Sequence, residues 1–298
     1  MNIMQEQSRI LVTGAQGLLG SSIVRELKAQ GYSNVFDIAR HSFDLQNQYA
    51  VDSLFDNVKP DYVFHCAARV SGIAANTNGL DCLYNMQMQT NVIRASWEHS
   101  VAGFFFPLSA NCYSGAPGVY TEQDLGMGQL EPTSRGYAHA KIAGMNLLEN
   151  LEVPHVNLVI PNLYGPGDKL GEHVVVSMIE KVLRADGVVN FWGDGSAQRE
   201  FLYIDDCAGA AIHCMKNHAF GTYNVSTGVS TSIRELAMLI ANECKFGGFV
   251  KWDSDAPVGT LGRKLDISAI TAQGWHATVD LETGIKRTIQ YVRDCIEL

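Results

Sequence analysis

A short apolar run that leads directly into a glycine-rich loop is the feature that most restricts the fold of this chain. Residues 10–13 read Ile-Leu-Val-Thr, and Gly14, Gly17 and Gly20 follow at the start of an amphipathic segment. Such a run predicts a buried strand, and the loop predicts a turn into a helix whose positive N-terminal end can bind a pyrophosphate. A bare tight turn is the other interpretation, but the position directly after a strand favours a dinucleotide site.

The rest of the first half repeats this rhythm of strand and helix. Apolar runs predict strands, and segments with helical spacing separate them: strands 34–38, 61–65, 103–108 and 155–160, and helices at about 18–30, 47–57, about 80–99 and 137–150. This alternation is typical of an α/β fold with a doubly wound parallel (Rossmann-like) sheet.

The second half predicts a smaller C-terminal α/β substrate lobe. The Pro- and Gly-rich stretch 161–167 predicts a loop and a boundary, which gives a cofactor-binding domain over 1–162 and a substrate lobe over 163–298. Residues 204–216 are a candidate to return to the first domain. The lobe has predicted helices at 173–185, 204–216, 232–245 and 280–293, and predicted strands at 188–192, 222–225 and 249–252.

Composition limits the partners. The net charge of −9 gives no basic surface for nucleic acid or an anionic membrane. No apolar run approaches the roughly 18 to 20 residues of a membrane span, and residues 1–8 lack an apolar signal core. The seven scattered cysteines, without a CxxC pair, suit a reducing cytosol. We therefore expect a cytoplasmic protein that binds small molecules and no metal.

Three residues form a candidate proton-donating group. Tyr137 and Lys141 lie four residues apart, so they share one face of the predicted helix. A tyrosine can protonate the alkoxide formed when a ketone is reduced, provided that a nearby cation lowers its pKa. Ser109 closes the run 103–108, at the carboxyl end of a strand, where parallel sheets place ligands. A Tyr–Lys pair alone is often a surface accident, but together with the glycine loop it favours catalysis.

The end of the second strand bears on the choice of nicotinamide cofactor. An acidic residue there binds the ribose 2′-hydroxyl, whereas an arginine accommodates a 2′-phosphate. Ala39 occupies the usual acidic position and Arg40 follows it, which favours NADP. Two alternatives stay open: Arg40 as a solvated charge, and a shifted strand end that brings Asp37 to the ribose.

Taken together, these motifs resemble the extended short-chain dehydrogenase/reductase superfamily of nucleotide-sugar enzymes over essentially the whole chain. Several segments are similar to the GDP-L-fucose synthase family: 69–76, 137–144, 161–166, 173–174, 192–195 and 199–202. The resemblance implies NADPH-dependent reduction of the C4 ketone of a GDP-linked 4-keto-6-deoxy sugar, with 3,5-epimerisation, in a homodimer formed through helices of the first domain. It also implies these cofactor contacts: Gly14, Gln16, Gly17, Leu18, Gly20, Arg40, Ala67, Ala68, Tyr137, Lys141, Asn162 and Leu163.

The family resemblance assigns epimerisation to a cysteine and a histidine. His173 matches the histidine, although a structural helix-capping histidine is the alternative. The family cysteine stands two residues after the serine, where this chain has Asn111, and Cys112 comes third. In an extended segment, a shift of one residue turns the side chain to the opposite face. Either the loop is rearranged so that Cys112 reaches the sugar, or the base is missing and Cys112 is a buried structural residue.

Basic residues of the lobe are implied to bind the substrate diphosphate through charge-assisted hydrogen bonds. The resemblance leaves open whether Arg263 or Lys264 takes this role. The implied substrate contacts are Ser109, Asn162, His173, Lys181, Trp192, Arg199 and Arg263 or Lys264. A solvated helix face is the alternative for Lys181, and core packing is the alternative for Trp192. Other functions that stay open are a C4 reductase without epimerase activity, an NAD-dependent nucleotide-sugar 4-epimerase, and a nucleotide sensor without turnover.

Overall fold

The structure is a computed structural model that describes residues 3–38, 43–70, 79–253 and 262–296. Its strands, in chain order, are β1 (Ile10–Thr13), β2 (Val35–Ile38), β3 (Tyr62–His65), β4 (Gly103–Ser109), β5 (Gly118–Tyr120), β6 (His155–Ile160), β7 (Asn162–Tyr164), β8 (Val188–Trp192), β9 (Gln198–Tyr203), β10 (Gly221–Asn224), β11 (Ser230–Ser232), β12 (Phe249–Asp253) and β13 (Arg263–Leu265). Its helices are α1 (Leu18–Ala29), α2 (Gln48–Val58), α3 (Gly79–Glu98), α4 (Arg135–Asn150), α5 (Val174–Arg184), α6 (Ile204–Lys216), α7 (Ile233–Glu243), α8 (Ser268–Ala272) and α9 (Leu281–Ile296).

A six-stranded parallel sheet organises the molecule, with spatial order β2-β1-β3-β4-β6-β10. Helices α1 and α6 cover one face, and α2, α3 and α4 cover the other. The run of phenylalanines in β4 shows why the sheet is buried on both faces. Phe105 packs in the cluster on the α1 side, whereas Phe104 and Phe106 pack in the opposite cluster, because successive side chains of a strand alternate. The predicted doubly wound fold is confirmed.

Strand register places the candidate site residues at one edge. Thr13 ends β1 opposite His65, which ends β3. Ser109 ends β4 opposite Ile160, which ends β6. The carboxyl ends of these four strands therefore meet at the same edge of the sheet, where ligands bind in folds of this kind.

A helix and a strand from the second half of the chain complete the central sheet. Helix α6 packs against α1, and β10 pairs in parallel with β6. The stretch 204–224 therefore packs on the sheet of the first half, and the strand predicted at 222–225 belongs to that sheet. The domain boundary after residue 162 stays a prediction.

The remaining elements form a second apolar cluster. Residues of α5, α7 and α9 pack together with residues of β8 and β9. Small sheets support this cluster, with strand orders β11-β9-β7 and β12-β8, and β13 pairs with β5. The loop predicted at 161–167 is wrong for Asn162–Tyr164, which forms β7 beside β9. Three-residue strands such as β5, β11 and β13 are too short for periodicity to reveal.

Two kinds of feature are absent from the described part of the chain. No helix there is both long and apolar enough to cross a bilayer. No group of three or more His, Cys, Asp or Glu side chains in the same ranges is arranged to hold a metal ion.

Candidate active site

The glycine loop is shaped by close contacts between backbone segments. Gly14 has a φ of +68°, and a Cβ there would lie 2.6 Å from the Ala67 nitrogen. A Cβ on Gly20 would lie 2.2 Å from the Gly14 oxygen. A side chain at Gly14 would push the loop away from the residues that follow β3, and one at Gly20 would push α1 away from the loop.

Helix α1 begins at Leu18 with Gly17 as its N-cap, and its first turn has no acidic side chain. Gln16 and Gly17 are exposed, and Leu18 is half-buried. The first N–H groups of α1 are therefore accessible at the positive end of the helix, and a pyrophosphate can approach them. On this ground the loop fits a bound dinucleotide.

The residues expected to select the cofactor are only partly described. Asp37 is exposed and accepts a hydrogen bond from Lys28 Nζ at 3.1 Å. Ala39 and Arg40 lie outside the described residues, as does 71–78, which contains most of the family-like segment 69–76. The expectation that Arg40 selects NADP stays a prediction.

Helix α4, which carries Tyr137 and Lys141, lies close to β4, the strand that ends at Ser109. A Cβ on Gly144 would lie 2.7 Å from the Phe106 ring, so only glycine permits this approach. Lys141 Nζ lies 4.3 Å from the centroid of the Phe106 ring and 5.9 Å from that of Tyr137. Ser109 stands three residues after Phe106, at the end of the same strand.

Burial sets the protonation of this group. Lys141 is 3% exposed, and burial lowers its pKa to about 8. The expectation that a nearby cation lowers the pKa of Tyr137 is wrong, because burial raises this pKa far above its ordinary value. At neutral pH the phenol therefore carries its proton and the amine carries its charge, which is the state needed to protonate an alkoxide.

A buried histidine supports the sheet edge beneath Lys141. His65 Nδ1 lies 2.9 Å from Thr13 Oγ1, and the imidazole stacks on Phe106 at a centroid distance of 6.0 Å. Burial lowers the pKa of His65 to about 3, so the ring is neutral and adds no charge beside the lysine. A polar residue at the end of an apolar strand was the available sequence signal for this position.

His173 is paired with a carboxylate that the sequence did not single out. It is the N-cap residue of α5, and its Nδ1 lies 2.6 Å from Asp168 Oδ1. Asp168 is 1% exposed, and its second oxygen is buried without a hydrogen-bond partner. The hydrogen bond to this carboxylate raises the pKa of His173. The sequence signal that could have revealed Asp168 was an acidic residue in the loop five positions before the histidine.

Cys112 is the last residue of the turn that follows Ser109. Its thiol is fully buried against Leu130 and Ala138, with Sγ 3.9 Å from the Ala138 oxygen. Burial raises the pKa of this thiol to about 11. Asn111, one residue earlier, is only half-buried. This geometry favours the interpretation of Cys112 as a buried structural residue.

The two adjacent basic residues of β13 occupy different environments. Lys264 is exposed. Arg263 is half-buried, and its guanidinium donates hydrogen bonds to the backbone oxygen of Ala110 at 2.6 Å and to Asn111 Oδ1 at 3.0 Å. Arg263 is thus engaged by the protein itself, whereas Lys264 faces solvent.

The other predicted substrate contacts fall into two groups. Lys181 Nζ lies 5.5 Å from the ring centroid of Trp192, which is 70% exposed and therefore is not a core residue. Arg199 is half-buried, and burial together with the neighbouring Arg263 lowers its pKa. Asn162 donates from Nδ2 to the Glu200 oxygen at 3.0 Å. Arg199 thus belongs with the residues around Arg263, and Lys181 and Trp192 form an exposed pair on α5 and β8.

Comparison with known proteins identifies the family of this fold and site. The model of the NAD dependent epimerase/dehydratase family matches residues 10–226. The chain belongs to this family. It is 34% identical to the GDP-L-fucose synthase of Escherichia coli (strain K12), over 96% of each chain. It is 36% identical to GDP-L-fucose synthase 1 of Arabidopsis thaliana, over 97% of this chain and 94% of that protein.

A solved structure is also similar to this chain over nearly its whole length. A GDP-mannoheptose C4 reductase from Campylobacter jejuni with NADP bound has a TM-score of 0.90 and 29% identity. The match covers 97% of this chain and 99% of the reductase. The whole-chain resemblance predicted from the motifs is therefore confirmed.

Proposed function

We propose that this protein is an NADPH-dependent oxidoreductase that reduces the C4 ketone of a GDP-linked 4-keto-6-deoxy sugar. The observation that carries the proposal is that Lys141 lies over Phe106 of β4, the strand that ends at Ser109, at the sheet edge where β1 leads into the glycine loop. The relatives are named as GDP-L-fucose synthases, and a structural neighbour is named as a GDP-sugar C4 reductase with NADP. These names support the same substrate class and cofactor for this chain.

The chain's own residues then bind, orient and protonate the substrate. Bound NADPH supplies the hydride to C4. Ser109 donates a hydrogen bond to the ketone oxygen and orients it, and Tyr137 transfers its proton to that oxygen as negative charge develops. The buried ammonium of Lys141 stabilises the phenolate that remains.

Basic groups at the other end of the substrate fit a diphosphate. Arg199 and Lys264 are proposed to bind it through charge-assisted hydrogen bonds, and the exposed Trp192 with Lys181 is proposed to contact the nucleotide. These local positive groups permit an anionic substrate on a chain whose net charge is −9.

Epimerisation at C3 and C5 is the second proposed activity of this site. The C4 ketone acidifies the hydrogens on both neighbouring carbons, so a base on one face can remove a proton and an acid on the opposite face can return one, which inverts the carbon before reduction. His173 suits the acid part of this role because its bond to Asp168 fixes the ring and favours the protonated form. The product would be GDP-L-fucose or a related GDP-sugar.

One experiment tests both activities. The protein is incubated with GDP-4-keto-6-deoxy-D-mannose in deuterated water, with NADPH or NADH at equal concentration. We expect oxidation of NADPH in preference to NADH, and solvent deuterium at C3 and C5 of the product. Oxidation of NADPH without deuterium in the product would indicate a C4 reductase that lacks epimerase activity. A preference for NADH would indicate that Asp37, and not Arg40, contacts the ribose. No turnover of this ketone at all would point to the remaining alternatives, a 4-epimerase that acts on a C4 hydroxyl or a nucleotide sensor.

We further propose a cytoplasmic homodimer that forms through helices of the first half. Helix α3 carries exposed Leu80, Leu83 and Met86 on neighbouring turns, and such apolar groups favour burial against a second copy. Light scattering of the protein and of Leu83→Glu tests this, and a monomer in both cases would contradict it. The seven cysteines are free, which suits a reducing compartment, and cell fractionation tests the location.

A further inference from the structure

The guanidinium of Arg263 is directed at the turn that follows the catalytic serine. It donates from Nη1 to the Ala110 oxygen at 2.6 Å and from Nη2 to Asn111 Oδ1 at 3.0 Å. A longer contact of 3.5 Å joins Nη1 to the Tyr113 oxygen. The three acceptors thus lie within the four residues after Ser109.

This turn determines the position of the serine hydroxyl. Ser109 is the N-cap of the 3-10 turn Ala110–Cys112, and its Oγ accepts a hydrogen bond from the Asn111 nitrogen at 3.2 Å. Arg263 therefore holds both the backbone and the side chain of residues that Ser109 itself caps. A displacement of the turn would displace the hydroxyl that orients the ketone oxygen.

The strand that carries Arg263 is itself anchored. β13 pairs with β5, and the Leu265 nitrogen donates to Glu200 Oε2 at 3.0 Å inside the protein. Only a guanidinium presents a planar set of donors that reaches two acceptors at once, since an ammonium is a compact point charge. The arginine thus connects a fixed strand of the second half to the serine turn of the first.

The Arg263 guanidinium interacts with other charged groups of the protein. Burial lowers the pKa of Arg263, and the nearby Glu131 carboxylate opposes that effect. Arg199 is close enough to repel it. Lys264 is the next residue on β13 and is exposed, so an anionic ligand can reach its ammonium group.

We propose that Arg263 is a positioning residue, whose guanidinium, with Asn111 as its side-chain partner, fixes the turn that carries Ser109, while Lys264 binds the substrate diphosphate. The inference rests on the proposed reductase function. It divides the two residues that the sequence left as alternatives into one that supports catalysis and one that supports binding.

The test compares Arg263→Met with its neighbour Lys264→Met, using NADPH oxidation with the GDP-4-keto-sugar. We expect Arg263→Met to lower kcat by about 10- to 100-fold with KM changed less than about threefold, because a misplaced catalytic group slows the chemical step. Lys264→Met should raise KM by about tenfold with little change in kcat. A raised KM and an unchanged kcat in Arg263→Met would overturn the proposal, since Arg263 would then be a substrate ligand.

Variants of Asn111 keep the proposal falsifiable if Arg263→Met does not fold, as judged by thermal melting. Asn111→Ala should lower kcat by about three- to tenfold, and Asn111→Asp, which keeps an acceptor for the guanidinium, should restore most of it. Equal loss in both Asn111 variants would contradict the inference. An inactive wild-type protein would contradict the proposed reductase function instead, so the two failures are distinguishable.

Discussion

The two halves of the candidate site differ in what holds them in place. Ser109, Tyr137 and Lys141 stand on β4 and α4, which touch directly at Gly144 and Phe106. His173 stands at the junction of a loop and α5 and depends on one hydrogen bond to Asp168. The reducing half is thus built on regular elements, whereas the proton-exchanging half is built on loop contacts.

Burial acts differently on the two halves. It keeps the Tyr137 phenol protonated, and although it lowers the pKa of Lys141, a pKa of about 8 leaves the amine mainly charged at neutral pH. The same burial makes Cys112 a poor base, because its pKa of about 11 keeps the thiol protonated at neutral pH. The comparison teaches that a residue near the family position is functional only if its surroundings permit proton transfer.

The largest expected effect concerns the reducing half. Tyr137→Phe should lower the rate of NADPH oxidation by about 10²- to 10⁴-fold, because the alkoxide loses its proton donor. Cofactor affinity, measured by fluorescence titration, should stay within about twofold, because a change confined to the proton donor leaves the glycine loop intact. Tyr49→Phe, at an exposed tyrosine on α2, is the matched control. Normal turnover in Tyr137→Phe would show that Tyr137 is not the proton donor, and the contrast between the two halves of the site would then fail.

The next effect separates the two candidates for proton exchange. His173→Gln should slow deuterium incorporation at C3 and C5 by about 10²-fold or more, whereas Cys112→Ala should change it by less than about threefold. Mass spectrometry of the product measures both. If Cys112→Ala abolished exchange in a protein that melts normally, the thiol would reach the sugar, and the contrast between the two halves would fail.

The smallest effect concerns stability and the strand next to Arg263. Glu200 is 2% exposed, and burial raises its pKa from 4.5 to about 7. The folded protein therefore binds a proton that the unfolded chain releases, so this contribution to stability is fully present below about pH 4.5 and is lost as the pH rises through about 7.

Melting temperatures across this range test that sign. We expect the wild-type midpoint to fall by about 5 °C between about pH 5 and about pH 8, and Glu200→Gln to show a flatter profile. Glu149→Gln, at an exposed site on α4, should keep the wild-type slope. A slope that is identical in Glu200→Gln and the wild type would assign the pH dependence to other groups.

The sequence pattern was sufficient to predict features that depend on residues close together in the chain. The alternation of apolar runs and amphipathic segments predicted the parallel sheet, and the turn at Gly14 required a residue that accepts a positive φ. Tyr137 and Lys141 could be paired from their spacing alone, since residues four apart share a helix face.

Only the tertiary structure decided features that depend on residues far apart in the chain. The pairing of β10 with β6 brings a strand of the second half into the central sheet, and periodicity cannot show this. Periodicity also cannot show that Cys112 is buried, that Asp168 is the partner of His173, or that Arg263 is bonded within the protein while Lys264 is exposed. Sequence spacing determines which side chains share a face within one element, but packing between elements determines which of them meet, lose water and change their pKa.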